Sequence, residues 1–158
     1  MPPTDQPQSL APASTTGQRI ASAVLALIVG AGAGLMGTLL HLQLHWFGSV
    51  VIPWGAVLGL LLVACAQLWA TLATRQLWVG ALMVVAAYTV IIGIAFTSTQ
   101  DVFNIAINSY TWQELPGPVV AEGLWLFGVP VVAIIVLLIS SRLMPRTAPR
   151  PVVPSNTH

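Results

Sequence analysis

The chain has 158 residues, of which 56% are hydrophobic and only 6% are charged, and its mean hydropathy is +0.87. A soluble domain carries about 25% charged residues. The composition therefore excludes a water-soluble domain and predicts that lipid surrounds most of the chain. A net charge of +1 gives no indication of a nucleic-acid partner. The single cysteine, Cys65, excludes an intrachain disulfide and a multi-cysteine metal site.

Apolar runs divide the chain into a membrane domain and two tails. Residues 1–18 are rich in Pro, Ser, Thr and Gln, and residues 143–158 are rich in proline, so both are predicted to be disordered cytoplasmic tails. Between them, residues 19–142 predict an all-α, polytopic membrane domain. Its four transmembrane helices are expected at about 20–40, 50–73, 77–97 and 118–141, with an outer loop at 98–117.

The first span has an alternative interpretation as a cleaved signal peptide. Arg19 would then be its basic region, and Ala31-Gly32-Ala33 would be its cleavage site. We favour a transmembrane span, because the apolar run continues well past that site.

Two prolines and one polar stretch predict local features. Pro53 is expected in the first turn of the second span, where its missing N–H costs little. Pro130 is expected to kink the fourth span. In the outer loop, Ser98 and Asp101 fit a capping box for a short surface helix over residues 102–110. The alternation of apolar residues there is equally compatible with an extended chain.

The charged residues predict how the four spans are oriented. With four spans, every arginine falls on one side of the membrane: Arg19, Arg75, Arg142, Arg146 and Arg150. The acids Asp101, Glu114 and Glu122 fall on the other side. Cytoplasmic segments carry the excess of basic residues, so both termini are predicted to be cytoplasmic in a bacterial plasma membrane. Aromatic residues near the span ends agree with this topology: Trp46, Trp54, Tyr110 and Trp112 outside, Trp69 and Trp78 inside.

Glycines in the first span fit two patterns. Gly32, Gly34 and Gly37 form a G-x-G-x-x-G, which in a dinucleotide site follows a strand and precedes an acid by about 20 residues. Neither feature is present, so no nucleotide and no cofactor are predicted. The alternative is a helix-packing stripe of small residues spaced four apart, made by Ser22, Ala26, Gly30, Gly34 and Thr38. A second G-x-x-x-G, Gly55 and Gly59, makes the second span its expected partner.

Two histidines are candidate metal ligands. His41 and His45 are four apart, which places both on one face if the first helix continues past the membrane. Zinc would require further ligands, which Glu122, Asp101 or Glu114 could supply. The alternative is a pair of interfacial histidines at a helix end. We favour this alternative and predict no metal, because the pair lacks the intervening Glu of a zinc-protease helix.

Glu122 is the most informative polar residue of the spans. An acid inside the membrane is a candidate for a proton relay or an ion site. One turn into its helix, it could equally lie at the headgroups beside the positive helix N-terminus, which is the interpretation we favour. His41 or His45 is its expected partner. Gln67 and Tyr88 are expected to form hydrogen bonds between helices.

Several features together resemble a known family. They are the four-span order with cytoplasmic tails, the glycine-rich first helix, the Trp-Phe-Gly at 46–48, the Pro-Trp-Gly at 53–55 and Ser109-Tyr110 in the loop. They are similar to small actinobacterial four-helix membrane proteins of unknown function, some encoded near the mycothiol-pathway deacetylase. The resemblance covers about residues 20–141. It implies an actinobacterial plasma membrane and carries over no catalytic residue.

The functional prediction follows from abundant packing surface and little polar chemistry. We expect a protein without catalytic activity, acting as a scaffold or accessory subunit of a larger membrane complex. Its partners would be the lipid bilayer and other membrane subunits or further copies of itself. The alternative is an oligomeric channel or carrier for a small solute or ion that uses Glu122 with His41 or His45. A third possibility is a membrane enzyme with a metal at the two histidines.

Overall fold

The computed structural model describes residues 15–48, 50–97 and 108–144. Within these residues, four long helices are each long and apolar enough to cross a membrane. The four apolar helices predicted from the sequence are therefore confirmed. In chain order, the elements are α1 (Thr16–Leu40), β1 (His45–Phe47), β2 (Val50–Ile52), α2 (Trp54–Thr74), α3 (Leu77–Thr97), α4 (Ser109–Glu114) and α5 (Pro116–Leu143).

Helix α1 begins four residues before its predicted start. Thr15 caps it: the Gln18 N–H donates to the Thr15 hydroxyl at 3.4 Å, and the Thr15 N–H donates to Oε1 of Gln18 at 2.9 Å. This reciprocal capping box satisfies two backbone donors at the helix start. The prediction that a disordered tail extends to residue 18 is therefore wrong for residues 15–18. The rest of that tail, and residues 145–158, lie outside the described residues.

The segment before α2 forms a hairpin, so the second span does not begin at residue 50 as predicted. Val50–Ile52 pairs antiparallel with His45–Phe47, and Gly48 takes a positive φ of 60° in the turn. A proline disfavours helical backbone in the residue before it, and Pro53 therefore keeps Ile52 extended. The helix starts at Trp54, with Pro53 as its N-cap and not inside its first turn.

A short helix, α4, occupies the end of the loop predicted at 98–117. Asn108 caps it: the Thr111 N–H donates to Oδ1 of Asn108 at 2.9 Å, and the Asn108 N–H donates to Oγ1 of Thr111 at 3.1 Å. The capping box predicted at Ser98 and Asp101 lies outside the described residues. Helix α5 follows at once and begins at Pro116, where a proline suits the first helical turn.

The long helices alternate in direction, which gives the bundle two distinct ends. The tight turn between α2 and α3 is closed by Arg75 in the left-handed conformation, with φ 52°. We call this the turn end; α1 begins there and α5 finishes there, so Arg19 and Arg142 lie at the same end. The opposite end carries the β-hairpin and α4, together with Glu114 and Glu122. We call it the hairpin end.

The small-residue stripe of α1 lies against α3, whereas the sequence predicted α2. A Cβ added at Gly30 would collide with the backbone carbonyl of Met83, and one added at Gly34 would lie 2.5 Å from that of Ala87. Ala26 and Thr38 on the same stripe are also buried, and Ser22 is half-buried. Since both contacts advance in the same chain direction, α1 and α3 pack as parallel neighbours, with their backbones brought together by glycine.

The glycines of α2 serve other contacts. A Cβ at Gly55 would collide with the carbonyl of Leu40, and the Gly55 N–H donates to the carbonyl of Gln43 at 3.0 Å. Gly59 instead lies against the indole of Trp125. The G-x-x-x-G of α2 therefore seats the end of α1 and a tryptophan of α5.

Two side-chain hydrogen bonds from neighbouring helices reach backbone carbonyls of α5, and one of them compensates its internal proline. Pro130 has no N–H to donate, so the carbonyl of Leu126, four residues earlier, loses its helical partner. The hydroxyl of Tyr88 donates to that carbonyl at 3.3 Å, and Nε2 of Gln67 donates to the carbonyl of Ala133 at 3.1 Å. The predicted interhelical hydrogen bonds of Gln67 and Tyr88 are confirmed, and both reach α5.

Candidate functional site

A buried acid–base pair lies at the hairpin end of the bundle. Because α1 ends at Leu40, His41 caps the helix and its imidazole turns into the protein, where it is fully buried. Glu122, in the second turn of α5, is only 2% exposed. Nε2 of His41 lies 2.9 Å from Oε2 of Glu122. This bond joins two helices that are far apart in the sequence.

Two further contacts fix the ring of His41. Its Nδ1 lies 2.6 Å from the carbonyl oxygen of Thr38. A carbonyl can only accept a hydrogen bond, so Nδ1 carries a proton. The ring also stacks on Trp125, with ring centroids 5.9 Å apart and planes 20° from parallel. These contacts aim Nε2 at the carboxyl group of Glu122.

Trp125 fills the space between α1 and α5, whose backbones are not close neighbours. Gly37 on α1 and Gly59 on α2 leave room for its indole, since a Cβ at either position would collide with the ring. The indole Nε1–H donates to Oγ1 of Thr38 at 3.4 Å, and the Thr38 hydroxyl donates to the carbonyl of Gly34 at 2.8 Å. The Trp125 indole therefore packs against the His41 ring of the His41–Glu122 pair.

The sequence predicted this site in part. His41 is the partner of Glu122, one of the two partners expected. Both side chains are buried against protein. The favoured headgroup position for Glu122 and interfacial position for His41 stay predictions. Trp125 was not singled out, although it is the one tryptophan placed well inside a span, and it is the buried one among six.

The two histidines do not share a helical face. The helix stops before His41, and His45 lies exposed on β1 with its ring 5.5 Å from that of Phe47. Glu114 is exposed on α4, and Asp101 lies outside the described residues. Among the residues that the structure describes, no group of three or more His, Cys, Asp or Glu side chains could hold a metal ion.

A second, smaller set of buried polar groups lies toward the turn end. Oε1 of Gln67 and Oγ of Ser140 are buried without a hydrogen-bond partner in the described part of the chain. On the buried face of α5, fully buried Val129 separates Glu122 from the level of Gln67. An apolar residue of α5 therefore lies between the two polar sets.

An open groove made of two separate pockets lies along α3, beside α5. Toward the hairpin end it has a volume of about 630 Å³, and its lining includes Tyr88, Gly93, Phe96 and Pro130. Toward the turn end a second stretch of about 510 Å³ is lined by Leu77, Trp78, Ala81, Ile134, Leu137, Leu138 and Ser141. The lining is almost wholly apolar, so the groove suits a hydrocarbon chain or an apolar helix.

Comparisons of the chain with protein-family models, with curated proteins and with solved structures gave no match.

Proposed function

We propose that this chain is a plasma-membrane protein without catalysis of its own, which acts as a subunit of a larger membrane assembly. Its partner is a transmembrane helix of another subunit, seated in the groove between α3 and α5. The observation that carries the proposal is the unequal packing of the bundle. Small residues close the α1–α3 contact, whereas α3 has an open groove along both halves of its length, beside α5 from Pro130 onward.

The lining of the groove favours a helix as its occupant. An added Cβ at Gly93 would meet nothing within 4 Å, and the exposed face of α3 continues with Thr89 and Thr97 at the same four-residue spacing. Small residues at this spacing allow the backbone of a neighbouring helix to approach closely. Phe96, which is 85% exposed, would pack against the side of that helix.

The polar groups favour a subunit over an enzyme. His41 bonds to the carbonyl of Thr38 and to Glu122, and all three residues are buried. Cys65, the single thiol, is exposed on the outer face of α2. Among the described residues, no serine or cysteine side chain is hydrogen-bonded to His41 or Glu122, and the Thr38 hydroxyl donates to a backbone carbonyl. The pair therefore serves the bundle itself.

Charge placement supports a cytoplasmic position for both termini. Arg19, Arg75 and Arg142 lie at the turn end of the bundle, and Glu114 and Glu122 lie at the hairpin end. Basic residues favour the cytoplasmic side. The turn end would therefore face the cytoplasm of a bacterial cell, and the hairpin would face outward.

Substitutions at two open glycines test the partner groove. Gly93 and Gly32 both have free space at Cβ, but Gly93 lies in the groove and Gly32 lies on the outer face of α1. Purification in a gentle detergent followed by mass spectrometry should recover a stoichiometric partner with the wild type and with Gly32→Leu. Gly93→Leu should lose it. A lone wild-type monomer, or equal recovery with both variants, would contradict the proposal.

The contact between His41 and Glu122 favours a second candidate function. An oligomer could use this buried pair to move a proton or a small ion, since ionisable residues inside membranes mark such pathways. Flux measured in proteoliposomes should then be lost with Glu122→Gln and retained with Glu114→Gln, a change at an exposed acid. His45 would not contribute, because it lies outside the pair. Absence of flux with the wild-type protein would exclude this function.

A further inference from the structure

The hydrogen bonds around His41 fix the number of protons in the buried pair. The Nδ1–H group of His41 donates a hydrogen bond to the carbonyl of Thr38, 2.6 Å away. At 2.9 Å, the Nε2–Oε2 contact between His41 and Glu122 is a hydrogen bond only if one proton lies between the two atoms. Without it, a nitrogen lone pair would face a carboxylate oxygen.

That proton has two possible positions. It can belong to Nε2, which gives an imidazolium beside a carboxylate, or to Oε2, which gives a neutral imidazole beside a carboxylic acid. The two forms differ only in the position of one proton, and both have a net charge of zero. A neutral pair is far less costly to bury than a lone charge. The closed bundle therefore requires one shared proton in the pair.

We propose that His41 and Glu122 form a proton-binding site that holds α5 against the end of α1 and releases it when the shared proton is lost. Loss of the proton would leave a buried, uncompensated carboxylate facing Nε2. The contact would then open and admit water. Because the backbones of α1 and α5 are not close neighbours, this bond and the Trp125 indole are what tie these helices together at the hairpin end.

The surroundings contain no described group that could replace the proton. The His41 and Glu122 side chains are 1% and 3% exposed. The other described titratable groups on the elements at this end are His45 on β1 and Tyr110 and Glu114 on α4, and all three are exposed. The described arginines lie at the turn end. We therefore expect proton exchange to require opening of the α1–α5 contact, and the proposal does not depend on a partner helix in the groove.

Nuclear magnetic resonance of the full chain, with ¹⁵N-labelled histidine and tryptophan, in lipid nanodiscs tests the site. Spectra would be recorded from about pH 5 to about pH 8, where an ordinary imidazole changes charge. The signals of the exposed His45 ring serve as an internal reference. The His41 signals should stay constant for as long as the pair holds its shared proton. Any loss at higher pH should coincide with a shift of the Trp125 indole signal.

Two variants separate a proton site from a simple packing contact. In Glu122→Gln the amide can donate to Nε2, so the bridge survives without an exchangeable acid, and the coupled change of the His41 and Trp125 signals should be absent. Glu114→Gln should leave the wild-type behaviour of His41 unchanged. The proposal is overturned if the wild-type His41 signals change with pH while the Trp125 indole signal stays in place, or if Glu122→Gln shows the same coupled change of both signals as the wild type.

Discussion

The bond between His41 and Glu122 joins two helices that have little other direct contact. Each side chain is the hydrogen-bond partner of the other, and both are almost fully buried. Breaking a buried pair by removing one partner costs about 3–5 kcal/mol, whereas replacing both partners by apolar groups is often neutral. The pair should therefore behave as a unit in mutagenesis.

A double-mutant cycle measures this coupling. His41→Phe leaves the Glu122 carboxyl without its partner, and Glu122→Leu leaves Nε2 without its partner, so each should lower the unfolding free energy by a few kcal/mol. The double variant should recover a large part of that loss, because neither buried polar group remains. Denaturant unfolding in detergent provides the values. Strictly additive effects would show that the two side chains do not interact.

At the scale of the helices, glycine residues allow α1 and α3 to pack closely. The stripe on α1 approaches α3 so closely that Gly34 has no room for a side chain beside Ala87. A glycine inside a helix costs about 1 kcal/mol relative to alanine. This close packing with α3 offsets that cost.

Substitution of leucine for two glycines of α1 should affect the stability of the bundle differently. Gly34→Leu would force α1 away from α3, and overpacking of this kind costs about 1–3 kcal/mol or more. Gly32→Leu, where an added Cβ meets nothing within 4 Å, should leave the bundle intact. The midpoint of thermal unfolding in detergent compares the two. Equal midpoints would mean that the stripe of α1 does not pack as described.

The four helices could be predicted from the sequence because each one is a long, uncharged apolar run. Which helices pack against each other could not be predicted. The spacing of small residues shows that a helix face can pack closely, but it does not show which helix packs against that face. Gly55 and Gly59 gave the same signal as a partner stripe, yet they receive the end of α1 and Trp125. Val50–Ile52 is as apolar as a helix, and only Pro53 indicates that the residue before it is extended. The burial of His41 depends on where α1 ends, which hydropathy does not resolve.

At the scale of the whole molecule, one end of the bundle is basic and the other carries the hairpin, the acids and the buried pair. The proposed orientation predicts which end is reached from outside the cell. In a Cys65→Ser background, Ser109→Cys should react with an impermeant thiol reagent in intact cells. Gln76→Cys, in the turn at the other end, should react only after permeabilisation. The reverse pattern would invert the orientation. The resemblance to the actinobacterial membrane family stays a prediction.

The proposed role of the molecule depends on the groove between α3 and α5, and photo-crosslinking inside the membrane tests it most directly. A photoreactive phenylalanine analogue at Phe96 would sit at the groove, and the same analogue at Ile28, which is 67% exposed on α1, would face lipid. After irradiation in cells, the analogue at Phe96 should yield one discrete protein adduct, while that at Ile28 should yield lipid adducts alone. Lipid adducts alone at both positions would contradict a partner helix in the groove.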